Sequence, residues 1–145
     1  MSRASVIAGA VCLALGAAAC GGGSGAATSS ASSPPATATA RPSSTAALTI
    51  VTPKIGASVT GSPLDVKVNL EGATVVTTTS TDLQPDEGHL HVILDDQIVS
   101  MTAETQTTIP DVAPGHHILK VEFVANDHGP FFPNISAVTS FEVTA

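Results

Sequence analysis

From Ala46 to the C-terminus, apolar and polar residues alternate over short runs separated by Pro, Gly and Asp. The runs are LTIVT (48–52), LDVKVNL (64–70), HLHVILD (89–95), QIVSM (97–101), QTTIP (106–110), HHILKVEFVA (116–125) and AVTSFEVT (137–144). A period of two is that of a β-strand, and no stretch carries the three-to-four residue spacing of a helix over about ten residues. Alternation also assigns faces. Leu64, Val66, Val68 and Leu70 point inward while Asp65, Lys67 and Asn69 point out. Leu119, Val121 and Phe123 point inward against Lys120 and Glu122, and Val138, Phe141 and Val143 supply most of the apolar side of the last run. Asp95-Asp96 makes a tight connection, and Ala113-Pro114-Gly115 turns the chain into the longest run. Gly72 to Glu87 is the least patterned part, either an edge strand at 73–78 or a polar loop, since its threonines suit both.

Seven short strands with turn signals between them, in about a hundred residues, predict an all-β chain of immunoglobulin-like β-sandwich type, with a partly open barrel as the alternative. The core is aliphatic, for the chain has no Trp and no Tyr. The segment ahead of it differs in kind. Gly21 to Thr45 is nearly all Gly, Ala, Ser, Thr and Pro, with no large apolar residue. Such a segment buries too little surface to offset its ordering entropy and is expected to be a disordered, flexible tether.

The first residues, MSRASVIAGAVCLALGAAAC, join a basic start at Arg3 to an apolar stretch from Val6 to Ala19 and small residues before Cys20. That is the plan of a secretory signal, and its apolar part is short for a transmembrane helix. Ala17, Ala18 and Ala19 before Cys20, with three glycines after it, resemble a bacterial lipobox, Ala17 standing where Leu is commoner. The resemblance implies cleavage before Cys20 and a diacylglycerol on its sulfur; the plainer alternative is an ordinary secretory cleavage site. The expected organisation is a lipoprotein signal over 1–19, a lipid-anchored linker over 20–45 and the sandwich over 46–145. The expected location is the extracytoplasmic face of a bacterial cell membrane. Cys12 would leave with the signal, so the mature chain would have no disulfide and would rest on core packing alone.

Charge narrows the partners. The chain has 5 Lys plus Arg against 12 Asp plus Glu, and nucleic acid is excluded because phosphate binding needs clustered basic residues. Cations remain permissible.

All five histidines fall between residues 89 and 128. His89 and His91 share one face of their strand, with Leu90, Val92 and Leu94 on the other. They are either a metal chelate or a solvated polar edge. In an immunoglobulin-like order the 89–95 strand lies antiparallel to 116–125, which brings His89 and His91 to Val124, Asn126 and the Asp127-His128 turn. His116 and His117 then lie at the opposite end. Imidazoles at i and i+2 sit about 6.5–7 Å apart at the backbone, close enough to share one ion. With His128 and one of Asp127, Glu87 or Asp86 they would form a nitrogen-rich site for copper or zinc. Met101, the nearby soft ligand, is expected on a strand that runs away from this end.

Gly129-Pro130-Phe131-Phe132-Pro133 is expected to be a rigid loop, whose Phe131 and Phe132 either plug the sandwich end or form an apolar binding contact. No serine sits in a nucleophile elbow and no carboxylate pair is placed in a recognisable cleft, so catalysis is not expected.

Two resemblances bear on the domain. Pro114-Gly115-His116-His117-Ile118-Leu119-Lys120-Val121 resembles the opening of the sixth strand of many immunoglobulin-like domains, where a tyrosine forms a corner by bonding back to the preceding loop. His117 occupies that position. More widely, GHLHVILD at 88–95, PGHHILKVEF at 114–123 and NDHGP at 126–130 resemble an uncharacterised group of secreted bacterial domains with G-H-x-H and D-H-x-P motifs. The resemblance spans about residues 48–144, implies the immunoglobulin-like fold, and departs from the group at Phe131-Phe132. The functional expectation is a non-catalytic binding module for a protein or cell-envelope ligand, or else a copper- or zinc-binding lipoprotein.

Overall fold

The alternation in LDVKVNLE becomes a strand whose odd and even residues divide cleanly, Leu64, Val66 and Val68 buried and Asp65, Lys67 and Asn69 exposed. The computed structural model describes residues 40–145. The expected signal, Cys20 and most of the tether lie outside the described residues. Among the described residues nine strands follow in order: β1 (Ala47–Thr52), β2 (Ser58–Thr60), β3 (Leu64–Glu71), β4 (Thr74–Val75), β5 (Glu87–Leu94), β6 (Gln97–Thr102), β7 (Gln106–Ile109), β8 (Gly115–Ala125) and β9 (Pro130–Thr144).

They form two sheets, one ordered β1-β3-β7 and the other β2-β9-β8-β5-β4, with β6 also paired to β5. The first corresponds to strands A-B-E of an immunoglobulin-like sandwich and β9-β8-β5 to G-F-C. The inner faces meet in a core of Leu64, Val66, Leu90, Val92, Leu119, Val121, Phe123 and Phe141. The antiparallel pairing of β5 with β8 is as expected, while the core is not purely aliphatic: Phe123, Phe131 and Phe141 are its largest buried side chains.

The structure corrects four further readings. Val138 is 60% exposed and Thr139 takes the inward place, because strict alternation with Phe141 and Val143 puts even-numbered residues outside. The Pro130–Pro133 segment is the start of β9 rather than a loop. Partner residues jump from Val124↔Pro130 to Phe123↔Ile135, so 131–134 bulge out of the ladder, the place where sheets tolerate proline. Short β2, which pairs in parallel with β9, is too brief for any pattern to reveal. Finally, the linker ends before 45. Ser44 Oγ and the Thr45 amide donate to Asp86 Oδ1 at 2.7 Å each, and the Phe132 amide donates to the Pro42 carbonyl at 2.9 Å.

His117, expected at a corner, bonds back to the loop that precedes its strand. Its Nε2 lies 2.8 Å from the Ala113 carbonyl and its Nδ1 2.7 Å from Asp95 Oδ2, while Asp95 Oδ1 accepts the Ile118 amide at 2.9 Å. Both ring nitrogens face acceptors, so the arrangement suits the doubly protonated imidazolium. The hydrogen bond to Asp95 accordingly raises the His117 pKa above the ordinary histidine value. Asp95 itself sits at φ 48° in the two-residue Asp95-Asp96 turn, a conformation Asn also tolerates. With its folded pKa raised, His117 contributes stability that is full below the unfolded value, about 6.5, and lost as pH climbs through the folded value. Asp95→Asn should therefore cost about 0.5–1 kcal/mol near pH 6, the carboxylate being half exposed. Urea unfolding should find that gap narrowing by about pH 9; a gap independent of pH would mean that the pair is a neutral hydrogen bond.

Candidate metal centre

β5 is an interior strand. β8 pairs along one side; on the other, β4 covers Glu87 and Gly88 in parallel and β6 covers Leu90 to Leu94. At its start the sheet is unusually close, for a Cβ on Gly88 would collide with the Val124 carbonyl. Glycine is needed there by proximity. From that point alternation turns Leu90 and Val92 into the core and His89 and His91 to the opposite face. That face is not the solvated edge that composition allowed: His89 is 7% exposed and His91 6%. His128 packs against both, and with His89, the chain around Val76 to Thr79 and the end of β6 it walls a cleft of about 190 Å³.

His128 arrives from the β8–β9 turn. Its amide donates to the Ala125 carbonyl and the Ala125 amide donates to the Gly129 carbonyl, both at 2.9 Å, closing a three-residue hairpin loop. The last residue of such a loop is left-handed, and His128 has φ 64° where glycine or asparagine is usual. That conformation costs a residue with a Cβ roughly 1–2 kcal/mol. Asp127 and Arg41 hold the turn. Arg41 Nη1 and Nη2 donate to Asp127 Oδ2 and Oδ1 at 2.6 and 2.9 Å, Arg41 Nε donates to the Pro130 carbonyl at 2.7 Å, and the Gly129 amide donates to Asp127 Oδ1 at 3.0 Å. The Arg41 hydrogen bonds lower the Asp127 pKa to about 2.

Three ring nitrogens converge as a result. His128 Nδ1 lies 2.7 Å from His89 Nε2 and 3.1 Å from His91 Nε2. One donor atom from each residue falls within 4.8 Å of the others. Nitrogens on a tetrahedral ion at a bond length of 2.0–2.1 Å would stand about 3.4 Å apart, so a modest opening of the triad admits an ion. Burial pushes the His89 and His91 pKa values down, helped by His128 beside them. Neutral imidazole is the form that ligates a metal.

Of the residues expected at this site, His89, His91 and His128 are together. Asp127 is not available beside them, because both of its oxygens are bonded to Arg41; it positions the turn. Asp86 is likewise held by Ser44 and Thr45. Phe131, 2% exposed, is a core residue stacked on Phe123 at 5.1 Å, which leaves only Phe132, 76% exposed, as an apolar contact at the surface. Two participants escaped sequence reasoning. Met101 does not run away from the site: β6 sets it directly opposite His91, on the same face, and it lines the cleft. Arg41 was counted with the linker, although a lone arginine in a tract of small residues was the available signal.

No protein-family model matches the sequence, and neither does any curated protein. Among solved structures, the chain is similar to the fibronectin(III)-like modules of Clostridium thermocellum CbhA. The identity is 20%, the TM-score 0.49, and the match covers 66% of this chain and 93% of that one. It is also similar to the PKD domain of human KIAA0319, at 11% identity and a TM-score of 0.43, over 78% of this chain and 92% of that one.

The backbone cost at His128 is separable from its imidazole. His128→Gly and His128→Ala both remove the ring, yet the glycine variant should be the more stable by about 1 kcal/mol, the reverse of the usual order in regular structure. Parallel urea denaturation of the two variants measures this. Equal stability would mean that the turn relaxes away from the left-handed conformation.

Proposed function

We propose that this domain is a non-catalytic metal-binding module that takes copper or zinc through His89, His91 and His128. The observation that carries the reading is the convergence of the three ring nitrogens, two of them on buried histidines and the third on a residue held in a strained backbone conformation. Strain of this kind persists where the surroundings over-determine it, and it collects at functional sites. A simple polar surface would have no use for it. Three imidazoles without a thiolate suit borderline ions, and Asp127, next to His128 in sequence, is held by Arg41 rather than free to act as a base, which favours binding over hydrolysis.

The domain is read as part of a membrane-anchored lipoprotein on the extracytoplasmic face, the anchor being a lipid on Cys20. The lipobox resemblance supports this. A second reading, an interaction module for a protein or cell-envelope ligand, is favoured by Phe132, whose ring stands 76% exposed on the β9 bulge.

Titration of Cu(II) or Zn(II) into the full chain should give micromolar or tighter binding and a rise in melting temperature. At free metal of about one hundred times Kd the stabilisation should be about 2.7 kcal/mol. Both effects should vanish in His89→Ala/His91→Ala; no heat and no thermal shift in the parent protein would remove the proposal. The anchor has its own test. Cells fed labelled fatty acid should label the protein, and Cys20→Ala should abolish the label.

A further inference from the structure

The three-histidine reading leaves open which ion the site prefers, and the fourth wall of the cleft bears on that choice. β6 pairs with β5 so that Met101 stands directly across from His91. Residues opposite one another on antiparallel strands share a face, with Cα atoms about 4.5–5.5 Å apart. Met101 therefore rises on the histidine side of the sheet, where it lines the cleft together with His89 and His128. At 56% exposure it contributes little to any core, and its thioether is carried on an unbranched chain of three rotatable bonds.

The charges around the triad point the same way. Two carboxylates close to the triad by register and sequence are already paired with cations. Asp127 is bound by Arg41, and Glu122, opposite His91 on β8, is bound by Lys120 at 2.6 Å. The donor set is thus four neutral groups. Desolvation cost grows with the square of an ion's charge, so a neutral, half-enclosed site penalises a divalent cation far more than a monovalent one. Thioether sulfur is a soft donor that selects Cu(I), whereas zinc gains little from it.

We infer that Met101 is the fourth ligand of a His89-His91-His128-Met101 centre that prefers copper in the Cu(I) state. This rests on the three-histidine reading and specifies its ion. The test uses the full chain, with Cu(I) affinity measured anaerobically by competition against a coloured Cu(I) chelator and Zn(II) affinity by competition against a zinc dye. Met101→Leu keeps the volume and removes the sulfur. It should weaken Cu(I) binding by about tenfold or more while changing Zn(II) binding by less than about twofold. X-ray absorption of the Cu(I) form should show one sulfur scatterer that the variant lacks. Unchanged Cu(I) affinity in the variant, or equal weakening of both metals, would overturn the assignment of Met101 and leave the histidine site standing. If the parent protein holds neither metal more tightly than His89→Ala/His91→Ala does, both proposals fall together. Melting curves of metal-free Met101→Leu confirm folding independently.

Discussion

The approach of β5 to β8 at Gly88 is the constraint on which the remaining geometry depends. Backbone atoms there leave no room for a side chain, so the strands are pinned at one register, Gly88 against Ala125. A slip of one residue would exchange the two faces of β5, burying His89 and His91 in the apolar core and expelling Leu90 and Val92. Each isobutyl or isopropyl group so expelled forfeits about 1.5–3 kcal/mol, and each imidazole driven inward would lack a partner. The hydrophobic half of β5 and its polar half are therefore fixed by the same contact. That contact also sets where the β8–β9 turn begins, because Ala125 is both the partner of Gly88 and the first residue of the turn.

The turn converts register into a cluster. A three-residue hairpin loop must place its last residue left-handed, and that residue is His128. Such strain would ordinarily be relieved by rearrangement or by an asparagine or glycine at that place. Here Arg41 closes the loop from outside, with a bidentate pair to Asp127 and a third bond to Pro130, and the bulge of β9 follows immediately. The pair is partly exposed, 29% for each side chain, so its contribution to global stability is modest. Its effect is local: residues that composition assigns to a flexible linker are drawn onto the domain, where Arg41 braces the turn that holds His128 left-handed.

The strands that carry the fold were legible through alternation, which runs cleanly from Leu64 to Leu70 in β3 and from Leu119 to Phe123 in β8. What alternation cannot report is which outer face is covered. His89 and His91 read equally as a wet edge, since the chain that packs on that face or walls its cleft is distant in sequence: His128, Val76 to Thr79, and Met101. Val138 misled for the opposite reason, being an apolar residue on the outside of a strand whose phase is set by Phe141. Pro130 and Pro133 argued for a loop by propensity, but a bulge reconciles proline with a ladder, and Phe131 within it is buried and stacked on Phe123. Arg41 and Met101 were missed because their partners are fixed by tertiary contact and by the β5–β6 register, which no local pattern encodes.

Charge pairing then explains why an acidic chain can present a neutral pocket. With 12 acidic residues against 5 basic ones, any cleft chosen at random would be expected to lie near uncompensated carboxylates. Two of the few basic side chains, Arg41 and Lys120, are instead spent on Asp127 and Glu122 beside the imidazoles. Left unpaired, those carboxylates would raise the pKa values of His89 and His91, as the smaller upward influences of Asp127 on the one and Glu122 on the other indicate. With both carboxylates paired, burial remains the largest influence and pushes both values down. The placement of scarce positive charge thus leaves burial as the leading influence on His89 and His91, and burial favours the neutral form that ligates a metal.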